Sequence, residues 1–138
     1  MGRLINNFRP YARILLVIWV ILIIILAILP NLPTPRIGGR LIPIRLDYPI
    51  HYLEHTLLAF LAVISFVYDR RQLTRILITL STLIAFAVFS EMLQLLIPAR
   101  TFEFKDMFLN IAGIITGTII ALAVTADQKL SETTKTQR

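Results

Sequence analysis

Seven polar side chains interrupt otherwise apolar stretches of this chain at spacings that place them on shared helix faces. His51, Glu54 and His55 stand three and four residues apart, Glu91 and Gln94 three, and Asp106 and Asn110 four. These are the separations at which helical side chains are neighbours. An imidazole exchanges a proton near neutrality, and a carboxylate can serve as general acid or base, so His51, Glu91 and Asp106 are the candidate catalytic groups. Asp47, Glu54, Gln94, Arg100 and Asn110 are candidate binding groups. The planar guanidinium of Arg100 matches either a carboxylate or a phosphate. The chain has no cysteine, and no serine stands in a nucleophile setting. Water or a substrate hydroxyl would therefore attack in any hydrolysis or transfer.

A purely structural account competes with this one: Arg100 pairs with Glu91 or Asp106 and pins the connection between two helices, since ion pairs fix structure as well as catalyse. Ser90, beside Glu91, is expected to bond its own helix backbone. The string His51-Tyr52-Leu53-Glu54-His55 also fits the H-x-x-E-H zinc-peptidase spacing. Three fixed positions in five make a weak match, and no spacing specifies a third ligand. No metal or other cofactor is assigned, and zinc at His51 and His55 is the lesser alternative.

The elements that must position these residues are long and apolar. Of 138 residues, 57% are hydrophobic and only 16% charged, a balance that excludes an ordinary soluble domain. Four stretches are long enough to cross a hydrocarbon core of about 30 Å, which takes about 20 helical residues: Tyr11 to Leu29, Ile50 to Tyr68, Ile76 to Ile97 and Met107 to Val124. Residues 1–126 form one all-α domain, a four-helix antiparallel membrane bundle. Residues 127–138 form a polar tail expected to fray. The first run is read as a retained span, because it ends at Pro30 with no small-residue cleavage pattern after it. Between Pro30 and Pro49 lie five of the seven prolines and Gly38-Gly39, which points to an ordered loop or a re-entrant dip.

The net charge of +6 is spread in short clusters between the apolar runs, so it reads as a topology signal and not as a nucleic-acid surface. Nine Lys and Arg fall on the side of the termini and the second connection, and five on the opposite side. Both termini are therefore expected in the cytoplasm. Acidic residues sharpen the contrast: the outer side carries Asp47, Glu54, Glu91, Glu103 and Asp106 and sums to zero. Helices two, three and four then bring their polar groups to one depth near the outer surface. Ionisable residues at mid-membrane cost at least about 2.5 to 3.5 kcal/mol, so each is a site hypothesis. Glu91 lies six residues before the end of its run, roughly 9 Å below the interface at 1.5 Å per residue. On helix four the polar face continues through Gly113 and Gly117, a Gly-x-x-x-Gly spacing that admits a close helix neighbour. Trp19 reads as an interfacial anchor or lipid contact.

Taken together, these residues resemble the VanZ-like membrane proteins. That family's first block, Asp-Lys-x-x-His-Phe-x-Glu-Tyr followed by Leu-Gly-Phe-Leu, reads here Asp47-Tyr48-Pro49-Ile50-His51-Tyr52-Leu53-Glu54-His55, then Leu58-Ala59-Phe60-Leu61. Its second block is matched by Glu91, Gln94, Pro98, Arg100, Asp106, Asn110, Gly113 and Gly117. Tyr48, His55 and Ala59 replace the usual Lys, Tyr and Gly, so a zinc role for His55 would be peculiar to this chain. The resemblance covers roughly Asp47 to Gly117. It implies a bacterial plasma-membrane protein with a cell-envelope role in resistance to teicoplanin-type or other membrane-active antibiotics. No reaction comes with it. The expected partner is a membrane lipid or lipid-linked cell-wall compound, not nucleic acid; the oligomeric state is not legible.

Overall fold

Long runs of Leu, Ile, Val and Ala in a hydrocarbon environment leave the backbone one economical way to pair its N–H and C=O groups, the α-helix. The computed structural model describes residues 2–29, 36–37, 44–45, 47–67, 72–97 and 103–136, with side chains over 7–29, 47–67, 72–97 and 103–126. Four helices dominate: α1 (Gly2–Ile28), α2 (Asp47–Phe66), α3 (Leu73–Gln94) and α4 (Phe104–Thr136). Within Asn7–Ile28, Asp47–Phe66, Leu73–Gln94 and Phe104–Ala126, each is long and apolar enough to cross a membrane.

The helix limits depart from the apolar runs for local reasons. α1 runs through Pro10 to Gly2, giving up the one backbone bond that a proline cannot donate. α2 starts at Asp47 with Pro49 in its first turn, a place where a missing N–H costs nothing and a carboxylate suits the helix dipole. α3 stops at Gln94, and Leu95, Leu96 and Ile97 bond three residues back, to Met92, Leu93 and Gln94. That tightening precedes Pro98, which disfavours helical backbone in the residue before it. α4 does not end with its apolar run but continues to Thr136. The expected frayed tail is thus helical over most of its length, because Asp127-Gln-Lys-Leu-Ser-Glu132 contains good helix formers and an existing helix propagates cheaply. In the proline-rich connection, β1 (Arg36–Ile37) pairs antiparallel with β2 (Ile44–Arg45), Arg36 opposite Arg45. The described part of that segment is therefore a minimal hairpin ladder.

α2 is the central helix. Half of its span is buried, against 17% for α1. Trp19 meets Glu54 and Arg9 meets Val67, so α1 and α2 run in opposite directions. Tyr48 meets Glu103 and Tyr52 meets Thr116, so α2 and α4 run in parallel, and their contact is the most extensive in the molecule. The two glycines explain it. A Cβ on Gly113 would collide with the Tyr52 carbonyl and lie 3.0 Å from the Thr56 nitrogen; one on Gly117 would collide with the Thr56 carbonyl and lie 3.0 Å from the Ala59 Cβ. Around this seam the core gathers Leu58, Ala62, Val63, Ile64, Leu83 and Ile114. Ile14, Ile18, Ile21 and Ile25 on α1 point outward, as side chains against lipid do.

Candidate functional site

The first turns of α2, the last turns of α3 and the first turns of α4 meet at one end of the bundle. From them Glu54, His55, Glu91, Gln94, Asp106 and Asn110 are all buried. Asp47 is half-buried at the start of α2. His51 is the most exposed ring of the set, with 16% of its side chain accessible, against 1% for Glu91 and 8% for Asp106.

That imidazole lies between two carboxylates. Its Nδ1 is 3.9 Å from Glu91 Oε1 and its Nε2 is 3.9 Å from Asp106 Oδ2. Both separations are beyond a hydrogen bond but within ion-pair range for a protonated ring. Glu91 is held from α4: the Asn110 amide donates to Glu91 Oε1 at 2.8 Å. The reverse orientation of that amide would set oxygen against oxygen, so the assignment follows from the pairing. Glu54 is buried one turn beyond His51 on α2. His55 Nδ1 contacts the His51 carbonyl at 3.1 Å. A carbonyl only accepts, so Nδ1 carries the proton of this pair.

Further groups support the seam. Tyr48 Oη donates to Glu103 Oε2 at 3.5 Å, Tyr52 Oη to Thr116 Oγ1 at 3.0 Å, and Thr56 Oγ1 to the Tyr52 carbonyl at 2.7 Å. Ser90 Oγ bonds the Ala87 carbonyl at 2.9 Å, the local bond expected of it. Trp19 makes a contact beyond the expected one. Its indole N–H donates to the Glu54 carbonyl at 2.9 Å, so it ties α1 to the site-bearing turn of α2 while its ring stays partly exposed. A lone tryptophan in an apolar run carries no signal for such a partner. The Tyr52–Thr116 pair carries no such signal either, because a spacing of 64 residues has no local signature. α3 ends three residues beyond Glu91, and the apolar run continues from there in tightened turns to Ile97.

Arg100 and Pro98 lie outside the described residues. Among the described residues, no three His, Asp or Glu side chains gather as a metal-holding group. His55 already commits one ring nitrogen to its own helix.

Fold and site define a multi-pass membrane protein with four spans and a buried acid–imidazole–amide cluster at one end of the bundle. The family model described as VanZ/LLP1 matches residues 13–125, and the chain belongs to that family. No curated protein and no solved structure matches the chain.

Proposed function

We propose that this protein is a cell-envelope component of the bacterial plasma membrane. Its termini face the cytoplasm, and its polar cluster opens toward the outer leaflet, where it binds the polar headgroup of a lipid or lipid-linked compound. The observation that carries this reading is the placement of His51. The ring is partly accessible, while the groups on either side of it, Glu91, Asp106 and Asn110, are buried and bonded or paired. Burying that many polar groups costs several kcal/mol, and a ligand that used them would account for the expense. Arg100 would take an anionic part of the compound and Gln94 and Asp47 would orient it. Such binding could change the access of a glycopeptide to its lipid-attached target, the link to teicoplanin resistance that membership of the family suggests.

The test is protection of cells by the wild-type protein and by Arg100→Ala. The variant is expected to insert and fold but to lose protection; undiminished protection would sink the proposal. Glu91→Gln separates this from a merely structural cluster: a binding role predicts lost protection at normal abundance, a structural one lost abundance.

A second reading has one specific observation in its favour. An imidazole between two carboxylates is an arrangement that can move a proton, with His51 or Glu91 as general base, Asp106 as its partner, and Arg100 stabilising developing negative charge. A membrane hydrolase or transferase of this kind would turn over a lipid-linked or phosphate-bearing substrate. Failure of the purified protein to do so across a broad panel removes it.

A further inference from the structure

Among the described residues, three buried side chains at this end of the bundle each leave a hydrogen-bond acceptor without a donor, and His51 Nδ1, whose role depends on the ring tautomer, lacks a partner beside them. Asn110 is fully buried, its amide nitrogen is committed to Glu91, and its Oδ1 has no donor. Glu54 is 9% exposed, and its Oε1 has no donor either. His55 is 1% exposed; its Nδ1 faces the His51 carbonyl, which leaves Nε2 as a lone-pair acceptor of the neutral ring, again without a donor. Glu91 links these residues: it accepts from Asn110 at 2.8 Å and lies 3.9 Å from the His51 ring, and Glu54 follows His51 by one turn of α2. His55 lies against the same α4 backbone at Gly113, one turn from Asn110.

Buried acceptors without donors are rare, and each one costs free energy until something supplies an N–H or O–H. A neutral carboxamide oxygen, a carboxylate oxygen and an imidazole lone pair can all receive N–H bonds. None can supply one to a phosphate. The carboxylates of Glu54, Glu91 and Asp106 add negative charge around them. A ligand that matches must carry several N–H donors and positive charge in a small volume.

We propose that the part of the ligand that enters this cluster is a primary ammonium group, held by Glu54, Asn110 and His55 beside Glu91. This rests on the reading of the cluster as a binding site and names the ligand chemistry. An ammonium presents three donors from one atom, the complement of the three acceptors. A quaternary ammonium has charge without N–H groups and does not satisfy them. Two kinds of membrane compound offer the group: a phospholipid with an ethanolamine headgroup, and a lipid whose headgroup bears an amino acid.

The molecule carries its own reporter, because its single tryptophan, Trp19, donates to the Glu54 backbone. The full chain, purified in detergent, is titrated with four lipids of matched acyl chains: phosphatidylethanolamine, lysyl-phosphatidylglycerol, phosphatidylcholine and phosphatidylglycerol. Trp19 emission and the thermal midpoint are followed together. Saturable change is expected with one or both of the first two lipids and not with the last two; which of the two binds identifies the source of the amine. Glu54→Gln should weaken the interaction about tenfold or more, the loss expected for a charge-assisted bond. That variant keeps the side-chain shape, and its unliganded thermal midpoint reports folding; should it not fold, the four-lipid comparison on the wild type decides alone. Equal binding of phosphatidylcholine, or preferential binding of phosphatidylglycerol, overturns the ammonium assignment and leaves the binding site standing. No saturable binding of any lipid overturns both.

Discussion

At the residue scale, the cluster depends on what holds Glu91 in the interior. Its bond from Asn110 is the short contact of the set, at 2.8 Å, whereas the two contacts to His51 are 3.9 Å. Replacing Asn110 by Leu removes the donor and leaves the carboxylate with one partner fewer. The expected loss is about 1.5 to 3 kcal/mol, the contribution of a hydrogen bond to a charged group, read as a lower thermal midpoint in detergent. Trp19→Phe keeps most of the ring's packing and deletes its N–H, so a smaller loss of roughly 0.5 to 1.5 kcal/mol is expected. Full stability in that variant would show that the Trp19–Glu54 contact does not tie α1 to α2. The residue types at His51, Glu91, Asp106 and Asn110 are legible in the sequence, because polar side chains stand out in apolar runs. Their partners are not, since Glu91 and Asn110 are 19 residues apart and meet only once α3 and α4 have turned back on each other.

At the scale of elements, the seam between α2 and α4 sets the geometry. Parallel helices joined through an intervening span come this close only where one of them has no side chain at the crossing. Gly113→Ala and Gly117→Ala each place a methyl against α2 backbone, which cannot move aside as a flexible side chain can. A loss of roughly 1 to 3 kcal/mol is expected from each, as for overpacking in a filled core. Ala123→Leu, at an exposed position on α4, should leave the midpoint unchanged. If the glycine variants behave like this control, close approach is not what holds the seam. The Gly-x-x-x-Gly spacing announces a close neighbour; that the neighbour is α2, at Tyr52, Thr56 and Ala59, is not written in it.

At the scale of the whole molecule, four spans place both ends of the chain on one side, and the charge asymmetry of the connections predicts that this side is the cytoplasm. The absence of native cysteine makes this simple to check with single introduced cysteines and a membrane-impermeant maleimide on intact cells. Asn31→Cys and Thr101→Cys should label, whereas Gln72→Cys and Thr134→Cys should label only after the membrane is opened. The reverse pattern would turn the polar cluster toward the cytoplasm and end the outer-leaflet proposal.

The sequence by itself determined the number of spans, the membrane class and the family, because apolar run length and a few polar types at fixed spacing are properties of one segment at a time. It also marked the end of each helix near which the polar groups stand. It did not determine the helix limits, since α1 passes through Pro10 and α4 continues over polar residues to Thr136: the hydrocarbon core requires helix, but water does not forbid it. Only the tertiary structure decided that α2 is central, that the His51 ring lies between Glu91 and Asp106, and that Trp19 bonds the Glu54 turn. Each of these joins segments far apart in the chain. They depend on how closely two backbones approach, which is set by the packing of all four helices together and by no single helix.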